Sequence, residues 1–266
     1  MTKFATCFLA LGLLASSPAH AHDTWIVPSS TMLSGEKPWV TFDAAVSNDK
    51  FYFNHRPLAL SALNILAPSG SHVEPTNPFT GELRSGFDLQ LAETGTYRVA
   101  IVRNGLSAQW QENGKPRRWF GSVTEFAENV PAQADKLKVQ ERSSRVETFV
   151  TKGKPTPIAT IEEGLAIRAQ THPNDLFHGE SGKFILTLDG QALPDATVEL
   201  VPEGSRYRDS VQEINVTTNA AGEFSVKWPT PGRYWLHAEY QGPAHDQSGP
   251  AQERLAAYTA TLEVLP

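Results

Sequence analysis

Along most of this chain, apolar residues recur at every second position in short runs. Glycine, proline or asparagine breaks those runs roughly every ten residues. Val40, Phe42 and Ala44 alternate with Trp39, Thr41 and Asp43, and Phe87, Leu89 and Leu91 alternate as cleanly. Phe184, Leu186 and Leu188 run into Asp189-Gly190, a dipeptide that suits a two-residue hairpin turn. Phe224, Val226 and Trp228 precede Pro229-Thr230-Pro231-Gly232, and residues 234–240 and 255–264 supply later strands. A period of two with frequent turns predicts an antiparallel all-β protein. Residues 123–127 read as one more strand. Residues 131–145 show no clear period, and residues 146–150 resume a strand.

The pattern occurs twice. Phe87, Leu89, Leu91, Gly95 and Tyr97 match Phe224, Val226, Trp228, Gly232 and Tyr234 at a constant offset of about 137 residues. Upstream, Leu66-Ala67-Pro68-Ser69-Gly70-Ser71 echoes Leu200-Val201-Pro202-Glu203-Gly204-Ser205. The Gly-x-Tyr element resembles a tyrosine corner, in which a tyrosine hydroxyl at a strand entry bonds nearby backbone. The organisation expected is two tandem antiparallel β-sandwiches, over residues 22–160 and 161–266. The Lys152-Gly153-Lys154-Pro155 stretch opens the linker between them.

Residues 1–21 read as a secretory signal. Lys3 is its positive end, residues 4–15 its apolar core, and Ala19-x-Ala21 its cleavage site. The apolar run is too short to span a bilayer, which takes roughly 20 residues, and no later stretch is apolar enough. The chain is therefore expected in the periplasm. Its single cysteine, Cys7, lies in the signal, so disulfides, thiolate metal sites and cysteine nucleophiles are all excluded from the exported part. Losing Lys3 takes the net charge from −6 to −7. An acidic chain without basic clusters suits neither nucleic acid nor an anionic membrane surface.

A cut after Ala21 would leave His22 as the first residue. Its α-amine and ring Nδ1 close a six-membered chelate, and both give up a proton near neutral pH, at about 7.7–8.0 and about 6.5. Borderline metals such as Cu(II) and Ni(II) suit such nitrogens. Thr24, not a histidine, is third from that terminus, so further ligands have to come from elsewhere. Asp23 adjoins it, and His55, His172 and His237 are the histidines considered as partners. His55 lies in Phe51-Tyr52-Phe53-Asn54-His55-Arg56-Pro57 and reads equally as a lined site or as a loop packed on a sheet. His172 precedes Pro173, which argues against a helical zinc motif there. His237 alternates with Leu236 along a strand. No Gly-x-Ser-x-Gly elbow, phosphate loop or His-Glu-x-x-His occurs, so no enzyme is predicted. Trp110, Trp119 and Phe120 could form a sugar-binding face, although tryptophan more often fills a core.

His22-Asp23-x-Trp25, residues 53–57 and 171–176, and the ending Tyr258-Thr259-Ala260-Thr261-Leu262-Glu263-Val264 resemble the exported family called domain of unknown function four-one-nine-eight. The resemblance implies a periplasmic protein, some of whose relatives accompany nickel and cobalt uptake systems or outer-membrane receptors. The second half is similar to carboxypeptidase-regulatory, prealbumin-like modules, which are seven-stranded sandwiches without catalytic machinery. Three functions follow as expectations. The first is a soluble binding protein for a transition-metal ion or its small complex, serving an uptake transporter or an outer-membrane receptor. The second is a non-catalytic envelope module that binds a carbohydrate or a protein. The third is a copper oxygenase with a histidine brace at His22.

Overall fold

The computed structural model describes residues 23–266; the signal segment and His22 lie outside the described residues. In chain order the first half forms β1 (Asp23–Pro28), β2 (Met32–Leu33), β3 (Trp39–Ser47), β4 (Arg56–Pro57), β5 (Leu63–Leu66), β6 (Thr76–Thr80), β7 (Ser85–Gln90), β8 (Gly95–Glu112), β9 (Lys115–Gly121), helix α1 (Val123–Asn129) and β10 (Asp135–Lys152). The second half forms β11 (Leu165–Ala169), β12 (Ser181–Leu188), β13 (Gln191–Ala192), β14 (Thr197–Pro202), β15 (Ile214–Thr217), β16 (Glu223–Lys227), β17 (Gly232–Pro243) and β18 (Glu253–Val264). The residue-161 boundary falls between β10 and β11.

Three sheets result. The first runs β1-β3-β7-β6 with β4 added on β3, and the third runs β11-β12-β13 with β16 on β12. Between them lies one nine-stranded sheet, ordered β15-β14-β17-β18-β10-β8-β5, with β2 on β10 and β9 on β8. Both sandwiches use it, on opposite faces. Val99, Ile101, Val146 and Val150 face the first sheet, where they meet Ile26, Val40, Phe42 and Phe87. Phe149, Leu200, Leu236, Tyr258 and Leu262 face the third sheet, where they meet Ile167, Phe184, Leu186 and Val226.

This explains the composition of residues 146–150. Val146, Thr148 and Val150 point one way and Glu147 and Phe149 the other, and all five are buried. A strand covered on both faces has no solvent side to show as polar alternation. Glu147, 0% exposed, is held at this crossing by the Tyr258 hydroxyl, which donates to Oε1 at 2.7 Å, and by Arg98 and Arg145, each 3.4 Å from Oε2. A buried carboxylate persists only with such partners.

The sequence expectations meet three differences. Residues 123–127 are helical, because Ser122 and Glu125 form a capping box: Ser122 Oγ accepts from the Glu125 N–H, and the Glu125 carboxylate accepts from the Ser122 N–H at 2.9 Å. That local cap outweighs the strand preference of Val123, Thr124 and Phe126. The patternless stretch before Arg145 is the outer half of β10, which pairs with β8 out to Gln111. Its ladder rests on backbone hydrogen bonds and needs no apolar face. Among the described strands pairing is antiparallel except where β10 meets β18 and β2, both parallel; the isolated bridge Phe177↔Leu265 is parallel too. The β10–β18 ladder, from Gln140↔Glu253 to Thr148↔Thr261, joins the two sandwiches edge to edge.

The repeated motif is a repeated structure. Tyr97 Oη accepts from Glu93 N at 2.7 Å and donates to Glu93 O at 3.3 Å. Tyr234 Oη accepts from Thr230 N at 3.3 Å and donates to Thr230 O at 2.9 Å. Each tyrosine bonds the residue four before it. Gly95 and Gly232 enter these corners at φ +127° and +128°, which a side chain would resist.

Candidate functional site

Trp235 and His237 leave β17 on the face that Val146 presents to the first sandwich, and β1 passes over them. The Trp235 indole N–H donates to Thr24 O at 3.0 Å, which pins the start of β1 to the second half. Trp25, Ala45, Val201 and Trp235 form a small apolar cluster at this seam, with Phe51 and Phe53 packed on it. The His237 ring lies stacked on Trp235, centroids 4.9 Å apart and planes at 16°. Its Nδ1 is 3.1 Å from Thr259 Oγ1, and its Nε2 is 3.4 Å from the Glu239 carboxylate. Register places Glu199 directly beside His237 on β14.

The loop after β3 supplies a cation to this cluster. Lys50 Nζ lies 3.1 Å from Asp23 and 3.7 Å from Glu199, and 4.6 Å over the Trp235 ring. Burial raises the Glu199 pKa, and Lys50 works in the opposite direction. The next residue, Phe51, has φ +66°, a rare backbone state for a bulky side chain, and its ring meets Trp25 edge-on at 5.9 Å. Arg206, from the second half, grips the loop through Asp49 at 3.3 Å and over the Tyr52 ring at 4.2 Å.

Under β1 this leaves a cavity of about 210 Å³. Asp23, Arg56, Arg103, His237 and Glu239 border it, over Val46, Ile101 and Val146. Of the histidines considered from sequence, His237 is therefore brought together with Asp23. His55 is exposed and one residue before Arg56, which pairs with Val46; it continues the row of Asp23 and Ser47 without lining the cavity. His55, His237 and Glu239 all have partners.

His172 is elsewhere. Its Nδ1 accepts from Asn174 N at 3.0 Å, and its Nε2 is 3.0 Å from Thr156 O and 3.1 Å from Thr96 Oγ1. Both ring nitrogens are thus engaged, Nε2 between the linker and β8 and Nδ1 within its own loop, and burial lowers the ring's pKa. Thr151, which bonds Thr96, is five residues along β10 from Val146, the partner of Thr259. At 3.3 Å per residue that is roughly 17 Å. Trp119 packs on Phe126 at 5.7 Å and Trp110 buries its indole nitrogen, so both rings are half-buried; Phe120 remains exposed.

Sequence reasoning missed Lys50, Glu199, Glu239 and Arg103. Glu239 was within reach, two residues from His237 on the same strand face. Glu199 and Arg103 meet the site through strand register, which no local pattern announces. Among the described residues no three His, Cys, Asp or Glu side chains stand together as a complete metal cluster. Also among them, no helix is long and apolar enough to cross a membrane.

The family described as "Domain of unknown function (DUF4198)" matches residues 19–242, and the chain belongs to it. No curated protein matches. Among solved structures, a DUF4785 family protein from Legionella pneumophila aligns at 7% identity and TM-score 0.25, over 80% of this chain and 50% of that one. Escherichia coli alpha-2-macroglobulin aligns at 12% identity and TM-score 0.25, over 92% of this chain and 20% of that one. The D0-D1 domain of intimin aligns at 12% identity and TM-score 0.24, over 91% and 97%. The chain thus spans half the length of the first of these structures and a fifth of the second.

Proposed function

We propose that this member of the family of unknown function binds a transition-metal ion, Ni, Co or Cu, in the periplasm and hands it to an uptake transporter or an outer-membrane receptor. One observation carries the reading: Asp23, the residue bonded to His22, borders the same cavity as His237 and Glu239. A terminus freed at His22 would begin beside a second imidazole and two carboxylates. Its amine and ring would then add donors where the described residues bring no three together closely enough to hold an ion. Nitrogen and oxygen donors of this kind suit the borderline divalent metals. To take an ion through Nε2, His237 would exchange its 3.4 Å contact with the Glu239 carboxylate for the metal, which Glu239 would then share as a ligand.

Titration calorimetry with Ni(II) and Cu(II) on protein beginning at His22 tests this. Binding is expected near one ion per chain. It should weaken by roughly tenfold or more in His237→Ala, and again when one residue is added before His22. Equal affinity with the terminus blocked would overturn the reading.

A further inference from the structure

The metal reading uses one side of the cavity; the other side is basic. Arg56 pairs with Val46 across β3, so it leaves the first sheet on the side that Val46 gives to the core. Arg103 stands two residues beyond Ile101 on β8 and pairs with Ser144, so it leaves the central sheet toward Arg56. Both side chains are exposed and stand where the apolar layers of Val46, Ile101 and Val146 end.

Charge is unbalanced there. Asp23 holds Lys50 at 3.1 Å, and Glu239 lies against the His237 ring at 3.4 Å, both outside the ion-pair reach of either arginine. Arg103 has the Phe120 ring at 5.5 Å as its partner. Among the described residues, neither arginine has a carboxylate within ion-pair distance. Two guanidinium groups with no counter-anion, bordering a cavity, are suited to an oxyanion, which each can take in a two-pronged hydrogen bond. They approach from sheets that pack about 10 Å apart, so a ligand with separate carboxylates gives one to each. A volume of about 210 Å³ holds about seven waters at roughly 30 Å³ each, the space of a small molecule and not of a polymer.

We infer that the cavity binds a small polycarboxylate, and that the metal enters as its anionic chelate. The metal half of this rests on the reading above; the anion half rests on Arg56 and Arg103 alone. In the chelate, the carboxylates face the arginines while the metal faces His237 and Asp23.

Titration calorimetry on protein beginning at His22, with four probes, separates the two halves. The probes are tricarballylate without metal, inorganic phosphate, Ni(II) alone and Ni(II)–citrate. Tricarballylate is expected to bind, to bind more tightly than phosphate, and to lose roughly tenfold in affinity in each of Arg56→Gln and Arg103→Gln. Both positions are exposed, so melting temperatures should stay unchanged. Ni(II)–citrate should bind roughly tenfold more tightly than Ni(II) alone. Tricarballylate binding that is absent, or unchanged in both variants, overturns the inference. Phosphate binding as tight as tricarballylate overturns the polycarboxylate class. Should Ni(II) bind alone and ignore carboxylate, the metal reading stands and this inference falls. Should tricarballylate bind while nickel fails in every form, the arginine site stands and the metal reading falls.

Discussion

In the first sandwich the chain passes from Leu91 through Gly95 into Tyr97; in the second it passes from Trp228 through Gly232 into Tyr234. The corners match in backbone angle and in hydrogen bonding, and then the strands part company. Six residues past Tyr97 stands Arg103, exposed at the mouth of a cavity. The same step past Tyr234 reaches Tyr240, which packs against the second core. Ile101 borders that cavity from the edge of the first core, whereas its counterpart Ala238 belongs to the second core. The second sandwich continues its apolar layers where the first ends them in charge. Repetition built the scaffold, and the candidate site stands where the repetition fails.

Breaking the crossing between the halves should have the largest effect on this comparison. Glu147→Ala leaves Arg98 buried without its carboxylate and Tyr258 without an acceptor. A loss of about 3–5 kcal/mol is expected in guanidinium unfolding, as one transition for the whole chain. Two transitions, only one of them shifted, would show that the sandwiches are independent.

A smaller effect belongs to the second sandwich alone. The Arg254 guanidinium, bonded to Asp189 at 2.9 Å, lowers the Asp189 pKa from 3.8 to about 2. A carboxylate whose folded pKa is depressed adds stability above its unfolded pKa and loses it as pH falls through the folded value. Asp189 is 28% exposed, so solvent screening reduces the gain to about 1–2 kcal/mol. Asp189→Asn keeps a residue that tolerates the turn's positive φ and removes the charge. Thermal melting should show the variant less stable at pH 5, with the gap closing between pH 4 and pH 2. A gap that persists at pH 2 would mean the loss is not electrostatic.

The smallest effect sharpens the likeness itself. Tyr97→Phe and Tyr234→Phe each remove one hydroxyl from a corner, and each should cost about 1 kcal/mol in urea unfolding. Costs differing by more than about twofold would mean that the corners, alike in geometry, carry different loads.

The sequence made much of this legible where a local rule was at work. Alternation exposed the strands, Asp189-Gly190 its hairpin, and a constant offset the paired corners. The central sheet escaped because Val146 and Phe149 serve different cores, so the strand joining the halves carries no alternation to read. Helix α1 escaped for the opposite reason: its signal, Ser122 and Glu125, was local but was passed over for the β-branched residues between them. At the candidate site, Asp23 and His237 were legible as residue types. Glu199 reaches them through a strand pairing and Lys50 from the loop after β3, neither of which the sequence spells out.

The parallel β10–β18 ladder has a consequence for the order in which this chain can fold. Thr148 and Thr261, bonded across it, are 113 residues apart. One edge of β10 over residues 140–148 therefore waits for nearly the last residues of the chain, and until they arrive it offers unpaired backbone groups to any other strand. Contacts of such long range form late and slowly. A chain stopped short of β18 would carry a finished set of corners and still expose a long open edge to its neighbours, so aggregation, more than loss of any ligand, is the expected fate of a C-terminal truncation.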